Sequence, residues 1–145
     1  RVPMVVKGLG HTDNESIVTL QELMPTILDI AGTTPPKPVD GESLLPLMTG
    51  EAASNGREHF YGEYHNHFYI ARQRMVRDLD YQLTFNESER GELYDLRRDP
   101  YQLHNVCYDP AYADIKKKYL DIMSDYMKKT NDPAGVWFHR IKEFY

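Results

Sequence analysis

The spacing of apolar positions along this chain changes near residue 59, and the change separates two kinds of structure. Residues 2–6, Val-Pro-Met-Val-Val, form an unbroken apolar run closed by Lys7-Gly8. Such a run predicts a strand buried on both faces, because a half-exposed strand would alternate. Nothing else in the chain reads as a parallel sheet with covering helices, so this strand is expected to belong to a sheet whose other strands come from elsewhere. Residues 8–16 read as a polar loop. Leu20, Leu23, Met24, Ile27, Leu28 and Ala31 then recur at helical spacing, and Gly32 stands where a left-handed residue would end the helix. Two starts are open. Thr19 with Glu22 matches a capping box, whereas a start near Glu22 keeps Pro25 in the first turn, where its missing N–H costs nothing. Residues 33–38, Thr-Thr-Pro-Pro-Lys-Pro, form a stiff connector and Asp40-Gly41 a turn. Residues 43–50 are a short apolar segment that pins the connector to the core, and residues 51–58 are a polar surface loop.

From His59 the period shortens to two. Residues 59–85 are rich in Tyr, Phe, Val and Ile and are punctuated at Asp78-Leu79-Asp80, which predicts two or three antiparallel strands. Residues 86–91 are the next turn and residues 92–96 the next strand. Asp99-Pro100 is a further turn, with Leu103 and Val106 returning to the core. Asp109-Pro110 supplies an N-cap followed by proline at the first helical position. The helix it opens has an apolar stripe at Ile115, Tyr119, Ile122, Met123 and Tyr126, with Lys128 and Lys129 at its C-terminal dipole and Asp132-Pro133 as its stop. This helix should lie across one face of the sheet. Residues 135–145 are aromatic and basic with no clear period, and are expected either to dock outside this chain or to fray. The expected fold is α+β: a small antiparallel sheet of about four strands packed by a C-terminal helix, preceded by a strand and helix of a larger α/β domain. The division falls at residues 1–50 and 51–145.

Composition narrows the function classes. With 22 acidic and 17 basic residues the formal charge is -5, and the longest basic block is the three lysines at 116–118. No nucleic-acid partner is therefore expected. No apolar run reaches the ~20 residues needed to span a bilayer, so no membrane partner is expected either. The single cysteine, Cys107, cannot pair within the chain and reads as a half-buried small hydrophobe. Two Asn-x-Ser sequons, at Asn14 and Asn86, have meaning only in a glycosylating host.

Three blocks, in this order and spacing, resemble the C-terminal part of sulfatases of the alkaline-phosphatase-like superfamily. RVPMVVKG followed by VTLQELMPTILDIAG and DGESLLPLM is similar to the family's R-x-P strand, its D/E-L-x-P-T-x-L-x-x-x-G helix and D-G-x-S-L-x-P. RMVRDLDYQLTFN resembles the family's R-x-x-R-x-x-x-Y-K strand, with Gln82 where Lys is usual. ELYDLRRDPYQLHNV resembles L-Y-D-L-x-x-D-P-x-E-x-x-N-L, with Gln102 for Glu and Val106 for Leu. The resemblance implies the rear part of a sulfuric ester hydrolase, acting on sulfated glycans and periplasmic or secreted. Its partner would be the N-terminal catalytic domain of the same protein. The implied chemistry uses Ca²⁺ and a formylglycine made from C/S-x-P-S/A-R. Cys107, in Asn-Val-Cys-Tyr-Asp-Pro, lacks that pattern, so nucleophile and metal ligands are expected upstream of Arg1, with no cofactor held by this chain. A related phosphodiesterase or phosphonate hydrolase, or a free-standing carbohydrate-binding module, are the alternatives.

The blocks themselves are scaffold, and the local chemistry lies in YGEYHNH. In a strand, Tyr61, Glu63, His65 and His67 share one face. Such a row can wall a substrate cleft, hold Zn²⁺ through Glu63, His65 and His67, or be an ordinary polar sheet face. Arg72 and Arg74 carry guanidinium forks suited to a sulfated or carboxylated sugar, or to salt bridges with Glu63, Asp78 and Asp80; Arg77 reads as the latter. Tyr64, Phe68 and Tyr69 either stack on a sugar or pack in the core. The substrate-binding candidates are Glu63, His65, His67, Arg72 and Arg74.

Overall fold

The computed structural model describes residues 4–8, 14–65, 72–87, 89–142 and 145. The chain divides into two compact units, Arg1–Glu58 and His59–Tyr145, so the loop 51–58 goes with the first.

In the first unit both expected helix starts are used. Thr19 and Glu22 form the capping box around a single 3₁₀ turn, Leu20–Glu22, and helix α1 (Leu23–Ile30) follows with Pro25 in its first turn. Gly32 has φ +70°, and the N–H groups of Gly32 and Thr33 return to the carbonyls of Asp29 and Leu28 at 2.9 Å, a complete Schellman ending. The Pro-Thr-x-x-Asp pattern of this helix ties down the connector. The Thr26 hydroxyl accepts from the Leu44 N–H at 2.9 Å, and Asp29 accepts from the Ser43 hydroxyl at 2.5 Å. Gly41 is buried against the Gln21 carbonyl, where a Cβ would collide with backbone. Residues 45–49 form a short helix, α2 (Leu45–Thr49), closed by Gly50 at φ +80°. Glu22 is buried and pairs with Arg57, which fastens the loop 51–58.

The apolar stripe of α1 is not the face that is buried. Glu22, Pro25 and Thr26 face inward, while Leu20, Met24, Ile27 and Ile30 are exposed. Residues 4–7 form no strand and Val5 is 92 % exposed; Val2 and Pro3 lie outside the described residues.

The second unit is a four-stranded antiparallel meander, β1 (Phe60–His65), β2 (Arg72–Arg77), β3 (Tyr81–Asn86) and β4 (Glu92–Asp95), in that spatial order. Asp78 makes the β2–β3 turn by accepting from the N–H groups of Asp80 at 2.8 Å and Tyr81 at 2.7 Å, and its second oxygen accepts from Tyr119. Helix α3 (Ala113–Thr130) crosses the face bearing Val76, Leu83, Phe85 and Leu93, with Asp109 capping its entry and Asn131 in the left-handed conformation at its end. Its buried line runs through Tyr119, Leu120, Met123 and Met127. The expected stripe is thus rotated toward Leu120 and Met127, with Ile115 and Ile122 at its margin.

Residues 135–141 form helix α4 (Gly135–Ile141), which completes this core rather than docking elsewhere or fraying. Phe138 is fully buried against Phe85, with ring centroids 4.9 Å apart, and the Tyr145 hydroxyl accepts from the Asn86 N–H at 2.8 Å. Its lack of period follows from aromatic side chains that fill the sheet's end from several directions. Leu103, expected to return to the core, is 74 % exposed, and Cys107, expected to be half-buried, is fully buried in the core cluster.

Candidate functional site

Strand β1 is an edge strand, and its pairing with β2 sets Tyr61, Glu63 and His65 opposite Val76, Arg74 and Arg72. These alternate positions share one face, the side covered by α3. Tyr61 stacks on Tyr126 of that helix, centroids 5.3 Å apart and planes within 3°. Beside this stack lies a polar cluster. Arg74 is 1 % exposed, and its Nε and Nη2 donate to the two oxygens of Asp132, the second at 2.8 Å. Its Nη1 donates to the Gln73 carbonyl at 2.9 Å. Asp132 also accepts from the Tyr61 hydroxyl at 2.8 Å and the Ala134 N–H at 2.9 Å, so each of its oxygens takes two donors. Burial alone would raise the Asp132 carboxyl, but the donors from Arg74, Ala134 and Tyr61 outweigh it and lower its pKa to about 2. The Tyr61 phenol is pushed up by burial and by the hydrogen bond to Asp132.

The cluster continues outward. Glu63 Oε2 lies 3.7 Å from Arg74 Nη2 and 3.1 Å from His65 Nε2. Glu63 and His65 have side-chain exposures of 33 % and 55 %. The inner members are fixed and satisfied, whereas the outer pair presents a carboxylate and an imidazole to solvent, a donor–acceptor set suited to sugar hydroxyls.

The other sequence-predicted residues divide. Arg72 is partly exposed, 3.8 Å from Glu87. The Arg74 fork is committed to Asp132 and is out of reach of a sugar. His67, Phe68 and Tyr69 lie outside the described residues. Tyr64 is 51 % exposed and belongs to the opposite face of β1. Arg77 donates to Gln82 at 2.7 Å. Among the described residues no three His, Cys, Asp or Glu side chains converge to hold a metal ion; Glu63 and His65 are two of the proposed Zn²⁺ row. Asp132 and Tyr126 were not legible as site residues. The available signal was Arg74 itself, a charge at an inward position in line with Val76, which demands a buried counter-charge.

The signature blocks form scaffold, as expected. Asp95 accepts from the N–H groups of Arg97 at 3.2 Å and Arg98 at 3.3 Å, and Asp99 from that of His104 at 2.7 Å. Asn105 ties its own loop to the start of β4, accepting from the N–H groups of Leu93 and Cys107 and donating to the Gly91 carbonyl.

An antiparallel meander with one long helix across it and an ionised cluster at its edge defines an α+β unit of the type that ends sulfatase chains. The chain belongs to the family described as N-sulphoglucosamine sulphohydrolase, C-terminal, which matches residues 1–129. It is 40 % identical over 129 residues to an uncharacterized protein of Haemophilus influenzae, covering 89 % of this chain and 66 % of that protein. It is 32 % identical over 141 residues to a delta 4,5-hexuronate-2-O-sulfatase of Bacteroides thetaiotaomicron, covering 90 % and 29 %. The crystal structure of a putative sulfatase from the same bacterium superimposes with a TM-score of 0.70 at 32 % identity, covering 77 % of this chain and 25 % of that one. The chain thus spans from about a quarter to two-thirds of the length of these relatives.

Proposed function

We propose that the chain is the C-terminal part of a sulfatase that hydrolyses sulfate esters of glycans, and that Glu63 and His65 contact the sugar beyond the sulfate. The family match over residues 1–129 carries this reading, and the sulfatase named among the relatives supports a glycan substrate. The same match favours sulfate over phosphonate esters. Its partner is the catalytic domain of the same protein.

A formylglycine would supply the nucleophile of such an enzyme and Ca²⁺ would supply compensation for charge on the sulfate. The described residues do not fit either group. Cys107 is buried in a segment without the modification pattern, and among the described residues no group of three His, Cys, Asp or Glu could hold Ca²⁺. What this chain supplies is recognition: a carboxylate that accepts from a sugar hydroxyl and an imidazole beside it, both on the edge strand of the sheet.

The test is His65→Ala in the full-length enzyme. On the glycan, kcat/KM should fall about tenfold, the worth of roughly one hydrogen bond. Activity on a small aryl sulfate, too short to reach β1, should hold. Unchanged kcat/KM on the glycan returns His65 to the sheet surface, and equal losses on both substrates mark a folding defect.

A further inference from the structure

We infer that Asp132 and Arg74 are positioning residues: through them the turn after α3 sets the Glu63–His65 pair for its sugar. This rests on the reading that Glu63 and His65 meet the glycan. Three observations support it. Arg74 lies on the inward face among Val76, Leu83 and Phe85, where an apolar side chain of similar volume would hold the fold at least as well as a buried ion pair. The four donors on Asp132 leave its carboxylate no freedom, so the guanidinium it grips is a fixed point rather than a mobile surface charge. From that fixed point the network leads outward through Arg74 Nη2 to Glu63 Oε2 at 3.7 Å and on to His65 Nε2 at 3.1 Å.

The charges explain why Asp132 matters at a distance. Arg74 stands between two carboxylates and holds the buried one closely and the partly exposed one loosely. While Asp132 is charged, Glu63 is steadied without being drawn in, and its oxygen remains shared with His65. Neutralising Asp132 would free the guanidinium to close on Glu63, pulling the carboxylate inward and releasing the imidazole. A residue without contact to the sugar would then govern how well the sugar is bound.

The experiment is a double-mutant cycle in the full-length enzyme with Asp132→Asn, Glu63→Gln and the pair, each variant first checked for cooperative thermal unfolding. Asp132→Asn should raise KM for the glycan about five- to tenfold while leaving kcat, and turnover of an aryl sulfate, unchanged. The pair should be no worse than Glu63→Gln alone, because both changes break one chain of contacts. Multiplying effects, or a kcat loss shared by both substrates, would overturn the inference and leave Asp132 a purely structural residue. If Glu63→Gln itself leaves the glycan KM unchanged, the reading beneath fails and the inference with it. Should Asp132→Asn not fold, Arg74→Lys, which keeps the charge without the fork, enters the same cycle and is judged by the same two outcomes.

Discussion

Arg74 shows how far a single residue could be read. Its alternation with Val76 on β2 placed a guanidinium on the inward face, and that much is visible in the string RQRMV. Its partner is not. Asp132 lies 58 positions away in a segment that reads as a helix stop, and only the close of α3 brings it under the sheet. Removing one partner of a buried pair leaves the other charge uncompensated, so Asp132→Ala should destabilise the second unit by about 3–5 kcal/mol in denaturant unfolding. A loss under about 1 kcal/mol would show that the pair is not held as described. The acid limb of stability gives an independent check. The Asp132 pKa is lowered from 3.8 to about 2 on folding, so its contribution is complete above pH 4 and is lost as pH falls through about 2. Wild type should therefore lose more stability than Asp132→Asn between pH 4 and pH 2; parallel limbs would contradict the assignment.

Among elements, legibility followed whether the signal is local in sequence. The strands of the meander, the Asp109-Pro110 helix start and the Gly32 ending were all readable, because turn and cap chemistry is local. Helix α4 was not. Its residues bury themselves against Phe85 and Asn86, 52 and more positions earlier, and leave no periodic trace. Helix α1 was readable as a helix, but not which contacts it makes within this unit: these come from Glu22, Thr26 and the connector, and its apolar stripe is left exposed. That connector depends on Gly41, whose Cα sits against the Gln21 carbonyl. Gly41→Ala should therefore cost about 3 kcal/mol, the upper range for overpacking, because the obstacle is backbone that cannot step aside. Unfolding with an unchanged midpoint would mean that the segment after Asp40 is not seated on the α1 entry.

For the whole molecule, Leu20 on the 3₁₀ turn, Met24, Ile27 and Ile30 on α1, and Met4, Val5 and Val6 are large apolar residues exposed to water in the first unit. In the proposed enzyme these surfaces are covered by the catalytic domain, and the meander contributes its β1 edge to the substrate. The residue types of that edge were legible from alternation; what it meets was not, because the other side of the contact lies outside these 145 residues. The most direct measurement is a crystal structure of the full-length enzyme with an unreacted sulfated disaccharide. The Glu63 carboxylate and a His65 ring nitrogen should lie within hydrogen-bonding distance, about 3 Å, of hydroxyls on the sugar beyond the sulfate. A disaccharide bound with β1 more than roughly 6 Å away, and water along the Glu63–His65 pair, would contradict the account.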